Sequence, residues 1–396
     1  MVNPTCEKLG STPSMIRELF AYGLRRSAEV GPEHVYDYSL GNPSIPAPQP
    51  VQQALLDVLH DTDPIQVHGY SMAGGFDGTR RAVAEDLTHR FGMTIRPEEL
   101  FFTCGAAAAL ISVIRALTVS PDSEFVAIAP YFPEYLPFVE SNGGKLVSVP
   151  ADLDTFQISL DILEAHLTSH TQAVLVNSPN NPTGVVYSAE TLTRMAELLT
   201  EKSRAYGHTI YLVSDEPYRD IAFDGRPVPY PAAFYPHTLT CFSFSKSLSL
   251  PGERLGYVAV RPGCEGEDLL VDMMAQISRF TGHNCPPSII QRAVSRCLNV
   301  TSDLSVYETN MNLLYDKLKA LGFEVERPGG TFYIFPKALE EDANAFCLRA
   351  RNYDLLLVPS DSFGVKGYVR LAYCIDTEKV ERSLPALEKL AASYRK

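Results

Sequence analysis

Lys246 sits in Ser243-Phe244-Ser245-Lys246, with Pro251-Gly252-Glu253-Arg254 close behind. Two hydroxyls and a guanidinium around one lysine are the donors that a phosphate dianion requires. A lysine desolvated in such company loses pKa and becomes an amine able to condense with a carbonyl carbon. A solvated surface lysine carries the same letters, so this segment gains weight only beside three others. Thr103-Cys104-Gly105-Ala106-Ala107-Ala108-Ala109-Leu110 is a small-residue entry into a helix, where backbone N–H groups and the helix dipole favour an anion. It also fits a plain alanine-rich buried helix start. Asn177-Ser178-Pro179-Asn180-Asn181-Pro182-Thr183-Gly184 reads as a turn, yet its prolines hold side-chain amides in a rigid loop suited to an oxygen anion. Ser214-Asp215-Glu216-Pro217-Tyr218 puts a carboxylate at the end of an apolar run, which is costly inside a covered sheet unless a cation meets it. Its ordinary reading is a helix cap or a surface acid before a turn.

All four segments are read as standing at the carboxyl ends of strands. The short apolar runs that read as strands are Phe125–Ala129, Lys145–Val149, Ala173–Val176, Ile210–Val213, Thr240–Phe244 and Tyr257–Val260. Between them lie helical stretches such as Ser188–Tyr206, where Leu192, Met195, Ala196, Leu198 and Leu199 give a 3.6-residue face behind a Ser188 cap. Strands alternating with helices predict an α/β fold with a mostly parallel sheet covered on both faces, and such sheets place their sites at the carboxyl ends of strands. Beyond Pro287 the character changes to α+β. A helix is predicted over Asp303–Leu321 and another near Asp342–Arg351, with the strand-like YVRLAYCID at 368–376. Near the start, Ser14–Ser27 is amphipathic, and SLGNPSIPAP is held extended by its prolines.

The chain has 396 residues, of which 45% are hydrophobic and 20% charged, a globular balance with room for more than one core. With 34 Lys plus Arg against 47 Asp plus Glu, the net charge of −13 offers no footprint for nucleic acid or an anionic membrane surface. No apolar run approaches the ~18–20 residues of a membrane helix. Eight cysteines without CxxC spacing, and a first stretch lacking basic and apolar regions, lead us to expect a reduced cytoplasmic protein. GxGxxG after a strand, GxxxxGK[ST], HExxH and GxSxG are all missing, and no metal-ligand spacing occurs. His68, His208, His237 and His283 read as structural or solvated.

In this order and spacing, NNPTG, SDEPY, SFSKxxxxPGxR and YVRLAY resemble the class I/II aminotransferase family of fold type I, from SLGNPS at residue 39 to the YVRLAYCID segment. The resemblance implies pyridoxal 5′-phosphate as cofactor. It also implies an N-terminal segment (1–45) packed on the small domain and covering the site, a large cofactor-binding domain (46–287) and a smaller α+β C-terminal domain (288–396). Lys246 would carry the cofactor as a Schiff base and shuttle the proton, and Asp215 would pair with the pyridine nitrogen. Asn181 and Tyr218 would bind the phenolic oxygen. Ser243, Ser245 and Arg254, with the backbone of Gly105, Ala106 and Ala107, would hold the phosphate, Phe132 would stack on the ring, and Tyr70 would reach the phosphate from a second subunit. Arg370 would fork the substrate carboxylate, and Gly41 would lie where the N-terminal segment closes. Cys104, Ala106 and Ala107 replace side-chain donors of many relatives, and Phe132 replaces Tyr or Trp.

The expected activity is ping-pong transamination between an L-amino acid and a 2-oxo acid by a homodimer. The alternatives are a C–S β-lyase on the same fold and, remotely, a non-catalytic ligand-binding module. A dicarboxylic substrate would want a second cation, for which Arg17, Arg25, Arg279 and Arg292 are candidates. Cis peptides are expected at Asn181–Pro182 and, more weakly, Ala129–Pro130.

Overall fold

The computed structural model describes residues 2–11 and 15–395. Its centre is a seven-stranded sheet: β1 (Leu100–Thr103), β2 (Glu124–Ala129), β3 (Lys145–Pro150), β4 (Thr171–Asn177), β5 (Tyr211–Asp215), β6 (Thr238–Ser243) and β7 (Gly256–Val260). The spatial order is β1-β7-β6-β5-β4-β2-β3. Every pairing is parallel except those of β7, which runs against both β1 and β6. The sheet is therefore mostly parallel, as the alternation of strands and helices predicts, and β1 is the strand that the apolar pattern did not separate from the helix behind it.

The strands are apolar on both faces because both faces are covered. Phe125 and Ala127 join Leu110, Val113 and Ile114 on one side. Val126 and Ile128 join Leu192, Met195 and Leu199 of the Ala189–Tyr206 helix on the other. That helix starts at the expected cap, with the Ser188 hydroxyl accepting from the Thr191 N–H at 3.0 Å. A third cluster sets Val51, Ala54 and Val58 against Phe102, Phe242 and Tyr257, together with Ile290, Ala293 and Val294.

A separate cluster gathers the C-terminal elements: helices Ser305–Leu321, Ala343–Ala350 and Thr377–Ala392, around Phe332, Ile334, Val369 and Leu371. The Val369–Ala372 strand pairs antiparallel with Val358–Pro359 and Tyr333–Ile334. The start of the chain attaches here. The Met15–Val30 helix sends Leu19 against Val358 and Phe363, and Tyr36–Asp37 adds a parallel strand to Leu355–Leu356. The first residue of the predicted stretch, Ser14, lies outside the described residues. Ala129–Pro130, Ser178–Pro179 and Asn181–Pro182 are all cis, the middle one unforeseen.

Candidate active site

Parallel pairing brings strand ends level. Asn177 pairs with Asp215, and Ser243 with Gly256, at one edge of the sheet. There the chain turns from β6 directly into the four-residue helix Phe244–Ser247, which lifts Lys246 off the sheet edge. Gly256 lies so close beneath that a Cβ on it would meet the Phe242 carbonyl at 2.3 Å and the Gly105 backbone at 3.0 Å. Only glycine lets the Gly105 turn and the lysine turn converge.

The result is a cleft of about 340 Å³ between the sheet edge and the C-terminal cluster. Gly41, Ala106, Ala107, Phe132, Asn181, Asp215, Tyr218, Ser243, Ser245, Lys246, Arg254 and Arg370 all line it. Two residues of the expected set do not. Gly105 lies behind, at φ +85°, as the N-cap of the Ala106–Leu117 helix. Tyr70 is 95% exposed on the outer surface of the chain. Of the four candidate cations, Arg17 lines the cleft, whereas Arg292 stacks over Phe76 at 4.0 Å and donates to the Gln66 carbonyl.

Lys246 Nζ donates to the Gly41 carbonyl at 2.8 Å. Burial lowers its pKa to about 8, with the Arg370 and Arg254 charges adding to the effect against an opposing pull from Cys374. Asp215 is buried, and its Oδ2 accepts the Tyr135 hydroxyl at 2.7 Å while Oδ1 has no partner. Burial pushes its pKa up to about 7; the Tyr135 hydrogen bond opposes this and the Glu216 charge adds to it. No cation meets Asp215 among the described residues, whereas neighbouring Glu216 is ion-paired with buried Arg219 at 3.0 Å.

The Asn loop divides its labour. Asn180 stitches the turn, its Oδ1 accepting from Thr183 N and Oγ1 at 3.0 and 2.8 Å. Asn181 faces the cleft, where its Oδ1 accepts from Arg370 at 3.3 Å. Arg370 also donates to the Ser39 carbonyl at 2.6 Å and lies over the Tyr333 ring at 4.6 Å, with Nε unpartnered. Tyr333 in turn shares a 3.1 Å hydrogen bond with the Tyr218 hydroxyl, and it leaves no space for a side chain at Gly41, where a Cβ would stand 1.9 Å from its oxygen. Ser243 and Ser245 hydroxyls lie 2.7 Å apart, and Arg254 spans from the Pro251 carbonyl to the Cys104 carbonyl at 2.9 and 3.2 Å.

Sequence reasoning assigned nothing to Tyr135, Asn177 or Tyr333, which tie the expected residues together. Asn177 donates to the Asp215 carbonyl at 2.8 Å and accepts the Asn181 N–H at 2.6 Å. Chemically, the cleft offers a poorly solvated amine, a buried carboxylate without a cation among the described residues, a hydroxyl-and-guanidinium cluster beside a helix N-terminus, and a second guanidinium. Such a set can bind two anions and move a proton between them.

Comparison with known proteins agrees with this chemistry. An aromatic-amino-acid aminotransferase of Thermococcus litoralis is 29% identical over 96% of this chain and 95% of that relative. A probable aspartate/prephenate aminotransferase of Thermus aquaticus is 31% identical, covering 82% of this chain and 84% of its own. Among solved structures, an aminotransferase from Eubacterium rectale superposes with a TM-score of 0.97 at 46% identity over the whole of both chains. Thermus thermophilus aspartate aminotransferase with maleate gives 0.86 at 26% identity, over 98% of this chain and 100% of that one. The family model for aminotransferase class I and II matches residues 34–387, and the chain belongs to that family.

Proposed function

We propose that this aminotransferase binds pyridoxal 5′-phosphate in the cleft and uses Lys246, Asp215 and Arg370 to move an amino group between an L-amino acid and a 2-oxo acid. The observation that carries the reading is the buried, unpaired Oδ1 of Asp215 in one cleft with a lysine of lowered pKa. An uncompensated carboxylate is costly to bury, and a protonated ring nitrogen would relieve that cost. The remaining donors suit the other ends of the cofactor. Ser243, Ser245, Arg254 and the amides at Gly105, Ala106 and Ala107 would take the phosphate. Asn181 and Tyr218 would take the phenolic oxygen, and Phe132 a ring face. When bound, the cofactor supplies an aldehyde that accepts the amino group and a ring that spreads the electron pair left at the substrate Cα.

The protein's own contribution is placement and proton transfer. Arg370 holds the substrate carboxylate in its fork, which fixes Cα relative to Lys246. Lys246 Nζ, neutral in a useful fraction near pH 8, takes the Cα proton and returns it on the other side of the transfer. The 1–45 segment and the 288–396 unit, joined through Tyr36–Asp37, would act together as the cover over the 46–287 unit.

The active species in this proposal is a cytoplasmic homodimer. Tyr70 is exposed and does not line its own cleft, and Ile65 and Met72 near it in sequence are 82% and 76% exposed. An exposed apolar patch around a phenol supports a second copy covering it, with each Tyr70 donating to the phosphate of the other subunit.

An amino-donor screen tests the function. Each L-amino acid is offered with 2-oxoglutarate, pyruvate or oxaloacetate, with and without added pyridoxal phosphate. A new 2-oxo acid that depends on both acceptor and cofactor is expected. Pyruvate and ammonia from cystathionine without an acceptor would make the chain a β-lyase instead.

A further inference from the structure

We propose that Tyr135 is a positioning residue for the reaction: its buried hydroxyl occupies Oδ2 of Asp215, so that Oδ1 alone is presented to the cofactor nitrogen. The inference rests on the assignment of Asp215 under the proposed function. It adds a residue outside the cleft.

A carboxylate on a strand end has two oxygens and one soft torsion. Left free, it can offer either oxygen to the cleft or turn both aside. In this chain both degrees of freedom are removed. Asn177 Nδ2 grips the Asp215 carbonyl at 2.8 Å and fixes the backbone. The Tyr135 hydroxyl, at 2.7 Å from Oδ2, fixes the side chain and leaves Oδ1 bare. Tyr135 is buried and is not part of the cleft wall, so it meets neither cofactor nor substrate.

The hydroxyl also has an electronic effect. A donor on Oδ2 favours the charged form of the acid. In a buried pair of carboxylate and ring nitrogen, that keeps the shared proton on the nitrogen, where an electron sink needs it. The phenol itself is a dependable donor, because burial and the Asp215 charge hold its pKa well above the usual value. Tyr135 stands three residues after Phe132 and meets its ring edge-on, with centroids 5.8 Å apart and planes at 87°. One side chain therefore braces the residue proposed to stack on the ring and orients the residue proposed to hold its nitrogen.

That double role makes the hydroxyl separable from the ring. Tyr135→Phe keeps the aromatic contact with Phe132 and removes one oxygen. The experiment measures dissociation constants of the full-length chain, freed of cofactor, for pyridoxal phosphate and for its analogue with carbon in place of the ring nitrogen. The unsubstituted protein should prefer pyridoxal phosphate. Tyr135→Phe should weaken pyridoxal phosphate about ten-fold, the scale of a hydrogen bond to a charged group, and leave the carbon analogue within about two-fold. Retained binding of the analogue also shows that the variant is folded. In an Asp215→Ala background, Tyr135→Phe should cost no further affinity.

Equal loss of both ligands would overturn the inference, because a merely structural tyrosine would not distinguish them. Unchanged binding of both would overturn it as well. An unsubstituted protein without preference for the nitrogen would refute the Asp215 assignment itself, a different pattern, and this inference would fall with it.

Discussion

Lys246 offers a direct physical test of the cleft, because its reactivity toward a small electrophile depends on how much of its amine is neutral. With a pKa of about 8, about one amine in ten is neutral at pH 7, against about one in three thousand at the ordinary 10.5. The gain is therefore about 300-fold near neutrality. The principal cause is burial, which penalises the ammonium form, and the unpaired guanidiniums of Arg370 and Arg254 push the same way. Carbamylation by cyanate, followed peptide by peptide in a mass spectrometer from pH 6 to pH 10.5, reads this out. Lys145 is the internal standard: it is exposed, and its 2.7 Å ion pair with Asp122 holds its pKa above the usual value. Taking the ratio of the two rates cancels the reagent's own pH dependence. The Lys246 to Lys145 ratio should be flat below pH 8, then fall about ten-fold per pH unit as Lys246 saturates and Lys145 continues to climb. Restricted access to the cleft would scale the ratio but could not move the bend. A ratio that stays flat to pH 10 would refute both the desolvation argument and the proton-shuttle role built on it.

Lys246→Ala should abolish transamination and the absorption band of bound cofactor while the melting temperature changes little; full activity would sink the proposed function. Arg370→Lys should lower kcat/KM by about 10- to 100-fold for every amino acid alike, since a point charge replaces a fork while the α-carboxylate is common to all. A loss confined to one substrate would make Arg370 a side-chain reader. Tyr70→Phe should weaken cofactor binding without removing Lys246 chemistry, and dilution should release cofactor from the unsubstituted protein, as measured by equilibrium dialysis against sedimentation. An active monomer would refute that. Ser188→Ala removes the cap on the Thr191 N–H and should cost about 1 kcal/mol in denaturant unfolding.

The fold was legible where local pattern and final environment coincide. Short apolar runs separated by amphipathic helices marked β2 to β7 to within two residues, because a strand covered on both faces is apolar throughout its length. Leu100–Thr103 escaped because its four buried residues run straight into Cys104-Gly105-Ala106, an equally apolar helix entry, leaving no boundary to detect. The antiparallel insertion of β7 was not legible either, since direction is set by a tertiary return of the chain across β6. The same division holds in the cleft. Lys246, Asp215 and Asn181 stand at strand ends with distinctive neighbours, whereas Tyr333 matters only through a long-range contact, its hydroxyl reaching Tyr218 from 115 residues away. Tyr135 did leave a signal, its spacing of three from Phe132, which puts both on one side of a turn. Nothing in the sequence says that its hydroxyl meets a carboxylate 80 residues on.

Charge provides the last link between the fold and its chemistry. The chain carries a net charge of −13, and surface cations such as Lys145, Lys202 and Lys317 stand in ion pairs with Asp122, Glu164 and Glu388. The cleft reverses this pattern. Lys246, Arg254 and Arg370 converge there without a carboxylate partner among the described residues, their hydrogen bonds going to carbonyl or amide oxygens of Gly41, Pro251, Cys104, Ser39 and Asn181. Asp215, the buried acid of the same cleft, is spent on none of the three. Carbonyl oxygens orient a cation but do not neutralise it, so the cleft keeps an uncompensated positive charge inside an acidic protein. Such an arrangement is unfavourable unless anions arrive, and it focuses their approach. Arg254 beside the helix N-terminus fits a dianion, and Arg370, with its buried Nε still unpartnered, fits a planar carboxylate. The proposed reaction brings those two anions, on the cofactor and on the amino acid. In that proposal Lys246, which lines the same cleft, moves the proton at the reacting carbon.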